Sequence, residues 1–432
     1  MYAYEIVTRL SDLGRLDFSA QPVVDATLDD FDKTEISRLK RDIEKYPGGD
    51  KSLLELDDIE IERALRLVKT EAGVDTPTLT GMLLLGKAES LARLVPTHEA
   101  VFIAMQGTDN RANITYKQPL LYTIDSIVDA IAPWNPVTEV EVGLFSEPVP
   151  AYNPRAIREA IVNAFSHRDY SVLDRVRVQV DDAGLTIANP GGFIDGISIE
   201  NLLTAEPHGR NNCLAAALKR IGLAESSGRG IDRIYEGSLL YGRPLPDYTA
   251  SSEVRVNLFI AKSEPDKGFV RMLADEHDRT GKSVSLQALL VLDSLKRERR
   301  ATLGDLDREL DIDTPRLKQT LEELVEAGII EAVGSSKSRA YVLSAGVYKS
   351  AGKGKEYVRQ TDIDKLRYPE LIMKLVDSQG RITKGDVASL LHIPEDAAYY
   401  EIRKLKNAGE LQSAQQGRYA YYIRAGSADG SE

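Results

Sequence analysis

The chain has 432 residues, of which 42% are hydrophobic and 28% charged, and a formal net charge of −12 at pH 7. This length suits about three domains of ordinary globular composition. No apolar run reaches the ~18 residues of a membrane span, and the charged N-terminus has no secretory apolar core, so a cytoplasmic protein is expected.

The acidity is uneven. Residues 281–432 sum to +1 and the first 280 carry −13, so the tail as a whole does not repel phosphate. The single cysteine, Cys213, excludes an intrachain disulfide and a cysteine-based zinc site, and its apolar helical context predicts burial.

Along the chain, residues 1–145 read as a mixed region. Helical spacing covers 57–68 and 119–131, and 100–105 reads as a strand. No reactive group stands out there, and Trp134 reads as a packing residue at a boundary. Residues 146–262 alternate helices and strands as a mixed sheet covered by helices would. A helix over 155–167 starts at Asn153-Pro154, a cap residue followed by proline. Strands are expected over 176–180 and 185–188, helices over 213–221 and 230–236, and a closing strand over 254–260.

The helix at 155–167 carries Glu159 and Asn163, four residues apart and so on one face. Taken alone, the pair fits a solvated polar face as well as a site. A carboxylate beside a carboxamide can also position a water and hold a phosphate-bridged Mg²⁺. Glycine turns follow at Asn189-Pro190-Gly191-Gly192 and Gly228-Arg229-Gly230. Arg168, near the helix end, is open to two readings: phosphate contact, or a dipole-complementing cation paired with Asp169. Arg229, within the glycine loop, is placed to meet a triphosphate.

REAIVNAFSHRDY, then NPGG, then RN, then GLAESSGRGIDRI, in this order, resemble the nucleotide-binding domain of the GHKL (Bergerat-fold) ATPases. They are more closely similar to the divergent branch in bacterial RecG-like transcriptional regulators, over about residues 50–262. The resemblance implies ATP and Mg²⁺ as cofactors. It implies that Glu159 positions or activates the attacking water and that Asn163 coordinates the metal. Asn189, Gly191 and Gly192 would face the adenine, and Gly228 and Gly230 the phosphates. One departure is visible: Asn189 stands where the superfamily has an aspartate that accepts from the adenine amino group. No stretch resembles the upstream Schlafen AlbA-type domain of most such regulators. The chain is therefore expected either to be a piece of a longer protein or to work without that module.

Gly281-Lys282-Ser283 fails as a phosphate loop, because position 276 is Glu where that motif requires Gly. No helicase motor is expected.

The tail holds an internal repeat at an offset of 81 residues. Thr302-Leu303-Gly304-Asp305 aligns with Thr383-Lys384-Gly385-Asp386, Leu310 with Leu391, Leu324 with Leu405, Ala327-Gly328 with Ala408-Gly409, and Tyr341 with Tyr422. Two copies of one small fold follow. Their element order is that of winged helix-turn-helix modules, at 281–344 and 361–426, joined by a linker at 345–360. DNA contacts are expected from Arg316, Lys318, Lys337 and Arg339 in the first copy and from Arg403, Lys404, Lys406 and Arg418 in the second. Glu322, Glu323 and Glu326 weaken the case for the first.

The expected fold class is therefore α/β of the α+β type: a mixed front region, a two-layer α/β sandwich and two winged helices. The function expected is an ATP-binding transcriptional regulator of double-stranded DNA, with pairing into a homodimer possible. An active ATPase and a non-catalytic protein scaffold are the alternatives.

Overall fold

The computed structural model describes residues 16–142, 145–206, 209–224, 229–333, 339–344, 368–391, 395–414 and 421–425. The chain divides into two compact units, one of residues 1–290 with 310–313, the other of 291–309 with 314–432. It is an α+β protein. Among the described residues no helix is long and apolar enough to cross a membrane.

The first unit opens with helices α1 (Lys33–Lys45) and α2 (Asp58–Ala64), a hairpin of β1 (Val68–Glu71) and β2 (Val74–Pro77), and helices α3 (Leu79–Leu85) and α4 (Ala88–Leu94). Ile36, Leu39 and Ile43 recur at helical spacing on α1, and all three are buried. Next come β3 (Ala100–Gln106), β4 (Asp109–Tyr116), α5 (Leu120–Ile131), a hairpin of β5 (Val137–Val142) and β6 (Phe145–Pro150), and α6 (Pro154–Ser166). The unit continues with β7 (Val176–Val180), β8 (Gly184–Pro190), α7 (Asn212–Ile221), α8 (Gly230–Leu239), β9 (Arg255–Ala261) and α9 (Lys267–Thr280).

One five-stranded sheet organises this unit, in the order β4-β3-β7-β8-β9. Only β3 and β7 pair in parallel, Ala100 opposite Val176 through Ala104 opposite Val180; the other pairs are antiparallel. On β7, Val176, Val178 and Val180 are buried while Arg177 is exposed, the alternation of a sheet covered on one side. This corrects the expected boundary at 145. Two of the five strands come from the front region, so 146–262 is not a self-contained domain. Beyond 262, α9 seats Val270 against Val140 and Val149 of the β5–β6 hairpin. Gly281 closes α9 in the left-handed conformation (φ 67°), so the Gly-Lys-Ser triplet begins as a helix cap.

In the tail, the first copy contains α10 (Leu286–Glu298), β10 (Ala301–Thr302), α11 (Leu303–Glu309), α12 (Thr314–Glu326), β11 (Ile330–Val333) and β12 (Ala340–Leu343). The second contains α13 (Tyr368–Gln379), α14 (Lys384–Leu391), α15 (Glu395–Asn407), β13 (Leu411–Ser413) and β14 (Tyr422–Arg424). The 81-residue repeat extends to individual hydrogen bonds. Asp305 accepts from the Thr302 amide at 3.0 Å, and its own amide donates to the Thr302 hydroxyl at 3.2 Å. Asp386 and Thr383 do the same at 2.8 and 3.2 Å. Gly328 (φ 71°) and Gly409 (φ 77°) each turn the chain out of the long helix. Ala301 pairs with Tyr341 as Ile382 bridges to Tyr422. The expected linker, 345–360, lies outside the described residues.

Candidate functional site

Helix α6 begins where the sequence dictates. The Asn153 side chain accepts from the amides of Arg155 (2.9 Å) and Ala156 (3.3 Å), and Pro154 supplies the preset first helical turn. Its apolar face, Ile157, Ala160, Ile161 and Phe165, is buried. Glu159 and Asn163 line a cavity of about 400 Å³, a size typical of small-molecule sites at roughly 300–1,000 Å³. Glu159 is only 5% exposed, so its carboxylate belongs to the cavity and not to a solvated helix face.

The wall opposite Glu159 is the start of α8. A Cβ on Gly230 would lie 2.2 Å from Glu159 Oε1 and 3.3 Å from Asn163 Nδ2, so only glycine admits the two side chains there. Gly230, Ile231 and Asp232, the first turn of this helix, line the cavity. Backbone N–H groups at such a terminus lack intrahelical partners and attract anions. Across the cavity the lining is apolar: Ile187 from β8, Val256 and Leu258 from β9, and Phe193, whose ring centroid lies 6.2 Å from that of Tyr248. Tyr248 also lines the cavity, and burial pushes its phenol well above the usual range, so it stays neutral. Asn189 lies at the end of β8 and is 4% exposed. Its side-chain nitrogen donates to the Pro190 carbonyl at 3.3 Å, and its oxygen has no partner among the described residues. The site thus has an apolar end with one acceptor and a polar end with a carboxylate, a carboxamide and a helix start.

Several expected residues lie elsewhere. Arg168 does not touch the cavity. It is fully buried, donates to the carbonyls of Asp169 (3.3 Å), Val172 (3.3 Å) and Asp174, and stacks 4.9 Å from the Tyr170 ring. Its guanidinium organises the 169–174 turn, and burial lowers its pKa. Asp169 instead accepts from the Ser171 amide and hydroxyl. Gly192 lines the cavity but Gly191 does not: a Cβ on Gly191 would lie 2.2 Å from Arg210 Nη1, and φ is +94°. Arg229 is the N-cap of α8 and is not among the lining residues, and Gly228 lies outside the described residues.

Two residues that hold the site together went unassigned from sequence, although both stand in the RN motif. Arg210 donates to the His167 carbonyl at 2.9 Å and to the Gly192 carbonyl at 3.4 Å. Asn211 donates to the carbonyls of Ser166 (2.9 Å) and Arg168 (2.7 Å). They satisfy the open C-terminal carbonyls of α6 and bind them to the glycine turn. The front region takes part as well. Asp17 accepts from the Cys213 amide (2.7 Å), Ser19 from the Leu214 amide (3.2 Å), and Asp50 from Arg220 (2.9 Å), fixing both ends of α7. Cys213 is buried, as expected.

In the tail, Arg316 and Lys318 on α12, Arg339 before β12, and Arg403, Lys404 and Lys406 on α15 are exposed. Lys404 pairs with Glu401 at 2.8 Å and Lys406 donates to Ser413 at 2.8 Å, whereas Arg403 has no partner among the described residues. Lys337 and Arg418 lie outside the described residues.

Residues 174–258 match the family described as "Putative ATP-dependent DNA helicase recG C-terminal", and residues 8–101 match a domain of unknown function (DUF8451). The chain thus carries a RecG-like ATPase-type domain. Among solved structures, the DIP2311 protein from Corynebacterium diphtheriae has a similar fold, with a TM-score of 0.63 and 20% identity over 97% of this chain and 72% of that one. No curated protein matches.

Proposed function

We propose that this chain is an ATP-binding transcriptional regulator whose nucleotide state biases how its C-terminal modules engage DNA. The observation that carries the nucleotide reading is the close approach of Gly230 to Glu159 and Asn163 at the polar end of a cavity whose β8–β9 wall is apolar. The residues present fit a magnesium–nucleotide complex. Asn163 and Glu159 are oxygen donors of the kind Mg²⁺ takes. The first turn of α8 offers backbone N–H groups to phosphate, and the acceptor oxygen of Asn189 suits an exocyclic amino group. The metal would neutralise phosphate charge. Glu159 is then the carboxylate placed to hold a water and take its proton if the bound nucleotide is cleaved.

The DNA reading rests on the tail. In each copy the order of helices and terminal hairpin agrees with a winged helix, and the long third helix presents exposed cations, Arg316 and Lys318 or Arg403. Cations around a few base-reading side chains are what groove recognition needs. A helicase role has no matching phosphate loop in this chain and is not part of the proposal.

Calorimetric titration with ATP and Mg²⁺, beside Asn163→Ala, tests the first part: saturable binding that the substitution abolishes is expected. DNA affinity measured with and without ATP tests the coupling, and equal affinities would end it.

A further inference from the structure

Helix α7 supplies one wall of the cavity through a single face: Asn212, Ala215, Ala216 and Lys219, at i, i+3, i+4 and i+7. The two alanines leave room, and the polar residues mark the ends of the face. Lys219 is the only lysine or arginine among the described lining residues, against three carboxylates, Glu159, Glu206 and Asp232. It is exposed and has no hydrogen-bond or ion-pair partner among the described residues. Its neighbour Arg220, by contrast, is tied to Asp50 and to the Ala64 carbonyl.

Which end of the cavity Lys219 serves follows from how α7 runs beside α6. Asn211, just before α7, holds the Ser166 carbonyl at the C-terminal end of α6. Gly222, just after α7, packs on Tyr46, where a Cβ would lie 2.8 Å from that of Tyr46. The Tyr46 ring in turn carries the guanidinium of Arg158, the residue before Glu159, at 4.8 Å. The two helices are therefore antiparallel, and the Lys219 end of α7 lies at the Glu159 end of α6. Gly230 marks the same end. The apolar β8–β9 wall and Asn189 form the other.

We propose that Lys219 is the side chain that adds its positive charge to the metal's at the anionic tail of the bound nucleotide, making the site selective for nucleoside polyphosphates over nucleosides. This rests on the nucleotide reading above and adds a residue to it. Glu159, Glu206 and Asp232 make the described lining acidic on balance, and a lysine on a flexible stem supplies a point charge that draws a polyphosphate in. Lys219 lies in the last turn of α7, where a cation complements the helix dipole, so it can be changed without opening the core.

The test is calorimetric titration of the full chain with ATP and, separately, with adenosine, both with Mg²⁺, using wild type, Lys219→Ala and Lys219→Arg. Loss of one charge-assisted contact should weaken ATP binding about ten- to a hundredfold in Lys219→Ala, leave adenosine binding unchanged and be largely restored in Lys219→Arg. Equal ATP affinity in wild type and Lys219→Ala would overturn the role of Lys219 while leaving the nucleotide site standing. An equal loss for ATP and adenosine would also overturn it, since the residue would then not act on the tail. Wild type that binds neither compound would overturn the nucleotide reading and this role together.

Discussion

Gly230 and Glu159 approach so closely that a methyl group on the glycine would lie 2.2 Å from the carboxylate oxygen Oε1. The start of α8 and the middle of α6 are thus fitted to one another through the absence of a side chain. Gly230→Ala must push Glu159 aside or shift the helix start. It is expected to weaken ATP binding at least about tenfold, as loss of a well-aligned charged contact does, while circular dichroism shows a folded chain. Unchanged affinity would mean that the first turn of α8 takes no part in binding.

Asn211 makes a second prediction. It is 1% exposed, and its side chain serves two buried carbonyls at the end of α6. Asn211→Ala leaves both without a donor and should cost about 2–3 kcal/mol of stability in a urea titration. Ligand affinity should fall with it, because α6 carries Glu159 and Asn163. A stable variant with normal affinity would show that the α6 terminus needs no such support.

His98 gives a pH dependence whose sign can be worked out. It is buried, its Nε2 lies 2.7 Å from the Gln118 carbonyl, and burial pushes its pKa from 6.5 down to about 4. The unfolded chain therefore binds more protons than the folded one between these values. The contribution of His98 to stability is full above about pH 6.5 and is lost as the pH falls toward 4. Asp42 works in the opposite sense: burial raises its pKa from 3.8 to about 6, so stability falls as the pH rises through that window. Comparing wild type with His98→Gln at pH 4.5, 5.5 and 7 isolates the histidine, and the variant should lose its part of the acid sensitivity. Parallel stability profiles would contradict this.

The duplicated caps offer a paired experiment. Thr302→Ala and Thr383→Ala each remove the hydroxyl that receives an Asp amide at 3.2 Å. Each should cost about 1 kcal/mol, or roughly a fivefold faster local hydrogen exchange at the Asp305 or Asp386 amide. Unequal effects would show that the copies have diverged in the stability of their second helix.

The sequence made legible whatever is local or repeated. Helix α6 could be read from Asn153-Pro154 and its apolar spacing, and the tail repeat from a gapless offset. The pairing of β3 with β7 could not, because a parallel partner 76 residues away leaves no trace in periodicity. Nor could the caps that Asp17 and Ser19 place on α7 from almost two hundred residues upstream. The site was legible in part. Glu159, Asn163, Asn189, Gly192 and Gly230 meet at one cavity, whereas Arg168 was misplaced because a basic residue at a helix end looks the same in sequence whether it faces phosphate or fills the core. Lys219 carried no motif and emerged only from the helix packing.

The sheet order has a practical consequence. The stretch that family comparison recognises, 174–258, includes β7 but not β3, which occupies the whole of one flank of β7. Cut free at that border, β7 would present five unpaired residues with Val176, Val178 and Val180 along one side. Such an edge invites pairing with another copy. The matched segment is thus smaller than the sheet to which its strands belong.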